Sequence, residues 1–481
     1  MRLNAVLVAL SQLIVVLAPL IVMPFLTRTI GADGLGIYSL SFSIATVCLA
    51  LGQMGSQLYG RREIAAAIGR EDRTRVFWEL SSLVFKTTIT VMVVYVILVF
   101  IFVPRSDVLF SALLIQLLYL ISGAIDISWL LHGVERFKLV TGAIVLSRIV
   151  NVFWIYLAIR EPADSLLYVL IMAITFLIAA ILPWLVITKF VDLPTKNDLK
   201  SLRHLKPLKH FVVPALALQL FGAVNITIIG FIMSNEDVGL YDLAFRLARS
   251  PITLITVAGV VLLPRITALV ALGDIRAQNS YLKRGMLVTM TLASLVAFGL
   301  IGTADTFIII FAGNSFANSI PVLQVLALSL LTIAWGNVLR TQLILPQGKD
   351  RLYSISLTVG LLVSMSISVI LVGPFGLLGA AAGFVLGELV VCIVQTVFIR
   401  RQLNLKELSV VACRTTLIGI LSCAVMLFVG QLNLGIYLVF ALQVISGSLV
   451  FIVMTCIVEY FQKDFFLLSE IRKVGKLLRR A

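Results

Sequence analysis

The sequence predicts an all-α integral membrane protein of about fourteen transmembrane helices. They form two six-helix bundles related by a parallel pseudo-two-fold, plus two additional C-terminal helices. Three observations predict it. Of the 481 residues, 60% are hydrophobic and 13% charged, with mean hydropathy +1.09, whereas soluble domains are about half apolar and a quarter charged. Basic residues collect in alternate loops. A patterned segment near the start recurs in register 203 residues later.

Crossing the roughly 30 Å hydrocarbon layer takes about 20 apolar residues per helix. In order, such segments fall at 5–26, 37–59, 80–103, 108–131, 139–158, 166–187, 211–233, 238–263, 285–311, 320–345, 352–372, 377–399, 410–429 and 434–458. Lys and Arg favour short cytoplasmic loops. With the N-terminus placed inside, thirty of the 38 basic residues fall on the cytoplasmic side, and only Arg28, Arg105 and Arg160 fall outside. Both termini are therefore expected to be cytoplasmic, in a bacterial cytoplasmic (inner) membrane. The start, MRLNAVLVAL, has the charge and apolar run of a signal peptide. Its helix nevertheless has a counterpart in the second copy, ALSQL from Ala9 against LALQL from Leu216, so it is expected to stay.

The repeat is LGIYSLSFSIA from Leu35 and VGLYDLAFRLA from Val238, which aligns Gly36 with Gly239, Tyr38 with Tyr241 and Phe42 with Phe245. GRREIAA from Gly60 and LPRITAL from Leu263 keep the same register, with Arg62 opposite Arg265. HGVERF at His132 parallels PQGKDR at Pro346. Each copy holds an even number of helices, so the copies share one orientation about an axis along the membrane normal. The expected organisation is a bundle over 1–187, a basic amphipathic linker over 188–210, a second bundle over 211–399, two further helices over 400–458 and a basic amphipathic cytoplasmic tail over 459–481. In the tail Phe465, Leu468, Ile471, Val474 and Leu478 share one helical face, as an interfacial helix requires.

The net charge of +15 is spread over cytoplasmic loops beside lipid headgroups, not gathered on a nucleic-acid-binding domain. The five cysteines lack metal-ligand spacing, and the three histidines, His132, His204 and His210, fall in cytoplasmic loops. No metal or cofactor is expected. The sequence carries no nucleotide-binding loop, and its outer loops are too short to hold a sugar acceptor. An enzyme and an ATP-driven pump are both excluded.

Ionisable residues inside membrane helices are costly and mark functional cavities. Lys86 and Arg340 lie about 10 Å from an inner helix end and can reach the interface. Asp126 lies near the inner end of the fourth helix. Arg148, Arg249 and Glu388 lie roughly 13–17 Å deep, beyond easy reach of water. On the eighth helix Asp242, Phe245, Arg246 and Arg249 share one face, where Asp242 can pair with Arg246. Buried cations outnumber buried anions, so the cavity suits an anion, and guanidinium groups suit phosphate oxygens. Arg148, Arg246, Arg249 and Asn225 are the candidate substrate residues; Asp242, Glu388 and Asp126 are candidate ion-coupling or counter-ion groups.

The runs MPFLTRTIGADGLGIYSLSFSI from Met23, QLYGRREIA from Gln57 and NSFANSIPVLQVLALSLL from Asn314 resemble the bacterial polysaccharide repeat-unit flippases of the multidrug/oligosaccharidyl-lipid/polysaccharide exporter superfamily. The resemblance implies two bundles flanking a central cavity. It also implies transfer of an undecaprenyl-diphosphate-linked oligosaccharide to the periplasmic leaflet, with membrane lipids and glycan-assembly proteins such as a polymerase as partners. Arg28 matches the family's motif arginine and joins the substrate candidates. The two extra helices resemble the lipid II flippase branch. A lipid II flippase, a multidrug exporter and a non-transporting scaffold of a glycan-assembly complex are the competing readings.

Overall fold

A computed structural model describes residues 20–194, 202–253, 255–256, 266 and 275–462. Twelve helices among the described residues are long and apolar enough to cross a membrane, and each overlaps one of the fourteen expected segments. The other two, over 5–26 and 238–263, fall partly outside the described residues, as do the repeat match at Arg265, part of the linker and most of the C-terminal tail. No strand occurs among the described residues. Helices are the economical solution here, because lipid offers no partner to a free backbone N–H or C=O. This is a multi-pass membrane protein.

The chain forms two compact units, Met1–Asp242 and Leu243–Ala481. In the first, the expected 37–59 segment is broken. Gly31–Gln53 ends where Met54 and Gly55 take left-handed conformations, and Ser56–Ala66 continues beyond the break. Gly55 at φ +79° also has no room for a Cβ, which would sit 2.6 Å from the Phe211 carbonyl oxygen. The 108–131 segment is likewise interrupted, into Val108–Ile115, Leu117–Ala124 and Ser128–Gly133. The seventh expected helix starts earlier than its apolar run, as Leu205–Ile232, so part of the linker is helical.

Each unit has an apolar core and, unlike a soluble domain, an apolar surface as well. Long apolar side chains point outward, among them Val94, Ile97, Ile101, Phe153 and Leu157 in the first unit and Ile370, Ile393, Val397 and Leu417 in the second. Lipid is a good solvent for them. Inside, large apolar side chains such as Trp129, Phe77 and Phe384 pack among small and polar residues, which allow close helix approach and interhelical hydrogen bonds. In the second unit Asp350–Phe375 and Leu377–Ile399 form a tight hairpin. Gly379, Gly383 and Gly387, one turn apart, let Leu371, Ser368 and Ser364 approach so closely that any Cβ would fall within 2.6 Å of them. Gln443 ties the final pair inward, accepting from Thr306 and donating to the Gly302 and Met426 carbonyls.

Candidate functional site

In the second unit Arg249 is half-buried, one turn beyond Phe245 on the Asn235–Arg249 helix. Its guanidinium carbon lies 5.2 Å from the centre of the Phe245 ring and 5.6 Å from that of Phe384. The two rings meet edge to face at 5.1 Å, forming an aromatic seat for the cation. One terminal guanidinium nitrogen is buried and has no hydrogen-bond partner. Glu388 lies one turn after Phe384, within electrostatic reach of Arg249 and Arg340, although no ion pair closer than 4 Å is formed with either among those described.

Arg340 contrasts with it. This side chain donates to Tyr353 Oη at 2.8 Å and to Asn337 Oδ1 at 2.6 Å, and it lies over the Tyr353 ring. It begins a π-helical turn, Arg340–Ile344, a distortion frequent at functional positions. Arg340 is held in place, whereas Arg249 keeps a donor to offer.

In the first unit Arg148 lies over Phe176 at 5.4 Å. Phe176 stacks on Phe42 and meets Tyr119 edge to face. Three residues along, Asn151 donates to Thr175 Oγ1 at 2.9 Å and fixes the Phe137–Ala158 helix against Ser165–Ile181. Asn225 is 1% exposed. Asp242 accepts from Ser39 Oγ at 2.7 Å. Arg246 is half-buried on the same helix.

Two candidates occupy different surroundings. Arg28 is exposed and bonds the Pro24 carbonyl of its own helix at 3.1 Å. Asp126 accepts from Gln57 Nε2, Ser128 N and Ser128 Oγ, two residues before the short Ser128–Gly133 helix. Lys86 is exposed on its helix beside Phe85 and Ile89, as a snorkelling side chain would be.

One polar network escapes sequence reasoning. His204 does not lie on an open loop: it is 3% exposed. Its Nδ1 lies 2.8 Å from Tyr59 Oη, and its Nε2 lies 3.0 Å from Glu79 Oε2. Arg203 pairs with the same carboxylate. The network anchors the end of the linker to two helices of the first bundle. Its partners are 125 and 145 residues from His204, and nothing in the local pattern marks them.

The described residues form a helical, multi-pass architecture in which Arg148, Arg249 and Arg340 lie against aromatic rings. The architecture is similar to that of the lipid II flippase MurJ in its inward closed conformation. The TM-score is 0.71 at 15% identity, over 96% of this chain and 100% of that one. An inward-facing multidrug resistance MATE family transporter of the MOP superfamily superposes with TM-score 0.54 at 15% identity, over 82% of this chain and 98% of that one. The profile of the family described as "Polysaccharide biosynthesis protein" matches residues 2–270, and the chain belongs to that family. It is 23% identical over 427 residues to the "Putative O-antigen transporter" of Escherichia coli (strain K12), over 84% of this chain and 97% of the relative. It is 23% identical over 278 residues to the "Teichuronic acid biosynthesis protein TuaB" of Bacillus subtilis (strain 168), over 55% of this chain and 56% of that protein. The structural neighbours are a flippase and a multidrug transporter, and the Escherichia coli relative is named a putative O-antigen transporter; none of these names is that of an enzyme.

Proposed function

We propose that the chain carries an undecaprenyl-diphosphate-linked oligosaccharide from the cytoplasmic to the periplasmic leaflet of the bacterial inner membrane by alternating access, for surface polysaccharide assembly. The observation that carries this reading is Arg249. A cation seated on two aromatic rings with a buried, unpartnered nitrogen is arranged to receive an anion, and a diphosphate fills a guanidinium's fork in the bidentate manner. Arg148, Arg246 and Asn225 supply further contacts, and Arg28 meets the headgroup at the outer end. Glu388, within electrostatic reach of Arg249 and Arg340, is an acidic candidate for ion coupling or for a counter-ion. Asp242 and Asp126 are the other acidic candidates for ion coupling.

In this reading the two repeated bundles rock about the cavity, both termini are cytoplasmic, and the prenyl tail stays in lipid. Membrane lipids and the glycan-assembly proteins that consume the repeat unit, a polymerase among them, are the partners. The likeness to the lipid II flippase extends over the last two helices and favours a second reading, a different glycan on the same prenyl diphosphate. A cationic drug suits this cavity poorly, because buried arginines repel it.

Deletion of the gene separates these readings. Surface polysaccharide disappears and lipid-linked repeat units accumulate on the inner leaflet if the first is right. Loss of viability with accumulated lipid II supports the second. Normal surface glycan in a strain with no other flippase overturns the assignment.

A further inference from the structure

A cavity of about 410 Å³ opens beside the buried network of His204, within the first compact unit. Its size falls inside the roughly 300–1,000 Å³ range of small-molecule sites. Two guanidinium groups, Arg75 and Arg203, and two carboxylates, Glu63 and Asp72, line it together with Tyr59 and His204. With the histidine neutral, the charges of the lining cancel. Three segments supply these residues: the Ser56–Ala66 helix, the first turns of Gly69–Phe102, and the Leu202–His204 turn at the end of the linker.

Arg75 pairs with Asp72, and Arg203 with Glu79, yet both guanidinium groups stay about half exposed, at 53% and 48%. A guanidinium carries five N–H donors, so one carboxylate does not exhaust either. Asp72 is itself 34% exposed, and Glu63 is half-buried within reach of Tyr59. A purely anionic ligand would meet like charge at the two carboxylates, and a purely cationic one would meet it at the two arginines. A zwitterion suits both.

The depth of the cavity matches a lipid headgroup. Gly69–Phe102 runs for 34 residues, about 51 Å, well beyond the roughly 30 Å hydrocarbon layer. Its apolar run begins at Leu80, so Arg75 and Asp72 lie about 8 and 12 Å before it, at and just beyond a headgroup layer about 5–8 Å deep. Trp78 and Trp184, with ring centres 6.2 Å apart, mark an interface at that level. Ile68, which directly follows the lining residues Ala66 and Ala67, is 90% exposed; such an isoleucine suits the acyl end of a lipid better than water. We propose that the cavity binds the phosphoethanolamine headgroup of a membrane phospholipid. Arg75 and Arg203 take the phosphate, as guanidinium groups favour, and Glu63 and Asp72 accept from the primary ammonium. Because Arg203 and His204 end the linker, the bound lipid ties that end to both helices. The site needs only the membrane placement of the first unit, and not the identity of the cargo.

The test uses full-length protein, delipidated in detergent and titrated with phosphatidylethanolamine, phosphatidylglycerol or water-soluble phosphoethanolamine, with bound molecules counted by native mass spectrometry. Phosphatidylethanolamine should bind about tenfold more tightly than phosphatidylglycerol, the worth of a charge-assisted hydrogen bond. Arg75→Gln with Arg203→Gln should weaken it by about tenfold or more. Arg70→Gln, which breaks an ion pair with Asp192 outside the cavity, should leave it nearly unchanged. Glu63→Gln with Asp72→Asn should abolish the preference between the two lipids. Should the double arginine variant unfold, Arg75→Gln alone, on an exposed side chain, carries the same test with a several-fold loss expected. Equal binding of the two lipids by the parent overturns the proposal, and so does undiminished binding by the arginine variants. Soluble phosphoethanolamine binding as tightly as the lipid overturns the lipid source and assigns the cavity to a free zwitterion. None of these measurements involves glycan, so failure here and failure of the polysaccharide assignment are told apart.

Discussion

The two copies of the repeated helix keep one scaffold and differ in charge. Tyr38 and Tyr241 are both buried, at 1% and 0% exposure, and Gly36 and Gly239 make equivalent contacts. The polar positions diverge. Where the first copy has Ser39, Ser43 and Thr46, the second has Asp242, Arg246 and Arg249. The first copy's hydroxyls are satisfied by nearby groups: Ser43 by the Ala223 carbonyl and Thr227, Thr46 by the Phe42 carbonyl at 2.7 Å. In the second copy Arg249 retains a buried nitrogen with no partner. The difference teaches that the packing positions and the charge-bearing positions of a duplicated helix evolve separately.

The largest expected effect breaks the comparison at that residue. Arg249→Ala should reduce glycan export by about 10- to 100-fold, the loss of a hydrogen bond to a charged group, while membrane abundance stays near the parent's. Arg249→Lys should recover part of the export, because a point charge lacks the bidentate fork. If Arg249 is instead a purely structural partner of Glu388, both single neutral variants will lose abundance through an uncompensated buried charge, and Arg249→Ala with Glu388→Gln will regain it. Export and abundance measured in the same strains distinguish the two, and unchanged export by Arg249→Ala rules out both.

An effect of middle size sharpens the contrast between an arginine that waits and one that is held. Arg340→Ala strands the Oδ1 of Asn337, which is 2% exposed, and removes the donor to Tyr353. An unsatisfied buried acceptor costs about 1–3 kcal/mol. Membrane abundance and the detergent melting temperature should therefore fall, with export falling only in proportion to the protein present. Export lost at full abundance would move Arg340 into the substrate path beside Arg249.

How much of this was legible beforehand depends on the kind of interaction. Helix positions follow from the solvent, since lipid imposes length and apolarity on every crossing, and twelve described spans overlap expected segments. Arg249 was legible because a cation that deep stands out in apolar sequence and shares a helix face with Phe245. Its seat was not, since Phe384 is 135 positions from Arg249 in the chain and aromatic residues are common in membrane helices. The breaks at Met54–Gly55 and around Asp126 lay hidden in continuous apolar runs. Asp242 was read against Arg246 four residues on, which periodicity can suggest; the Ser39 hydroxyl that it accepts from belongs to the other copy. His204 looked like one more charge in a basic linker until Glu79 and Tyr59 were placed around it.

The smallest effect is expected from the first copy. Ser43→Ala removes the hydroxyl that bonds the Ala223 carbonyl and Thr227, but it does not strand the carbonyl, because Thr227 Oγ1 donates to the same oxygen at 3.1 Å. Thr227 stays satisfied for the same reason. The cost is then a net neutral hydrogen bond, about 0.5–1.5 kcal/mol, with no desolvation penalty added. Alanine also fits without overpacking, since it only removes an atom from a site 2% exposed. Export should stay within about twofold of the parent, and the melting temperature should fall only slightly. A loss of export as large as that of Arg249→Ala, at normal abundance, would mean that the neutral copy also contacts cargo and that the two copies are functionally equivalent despite their charges.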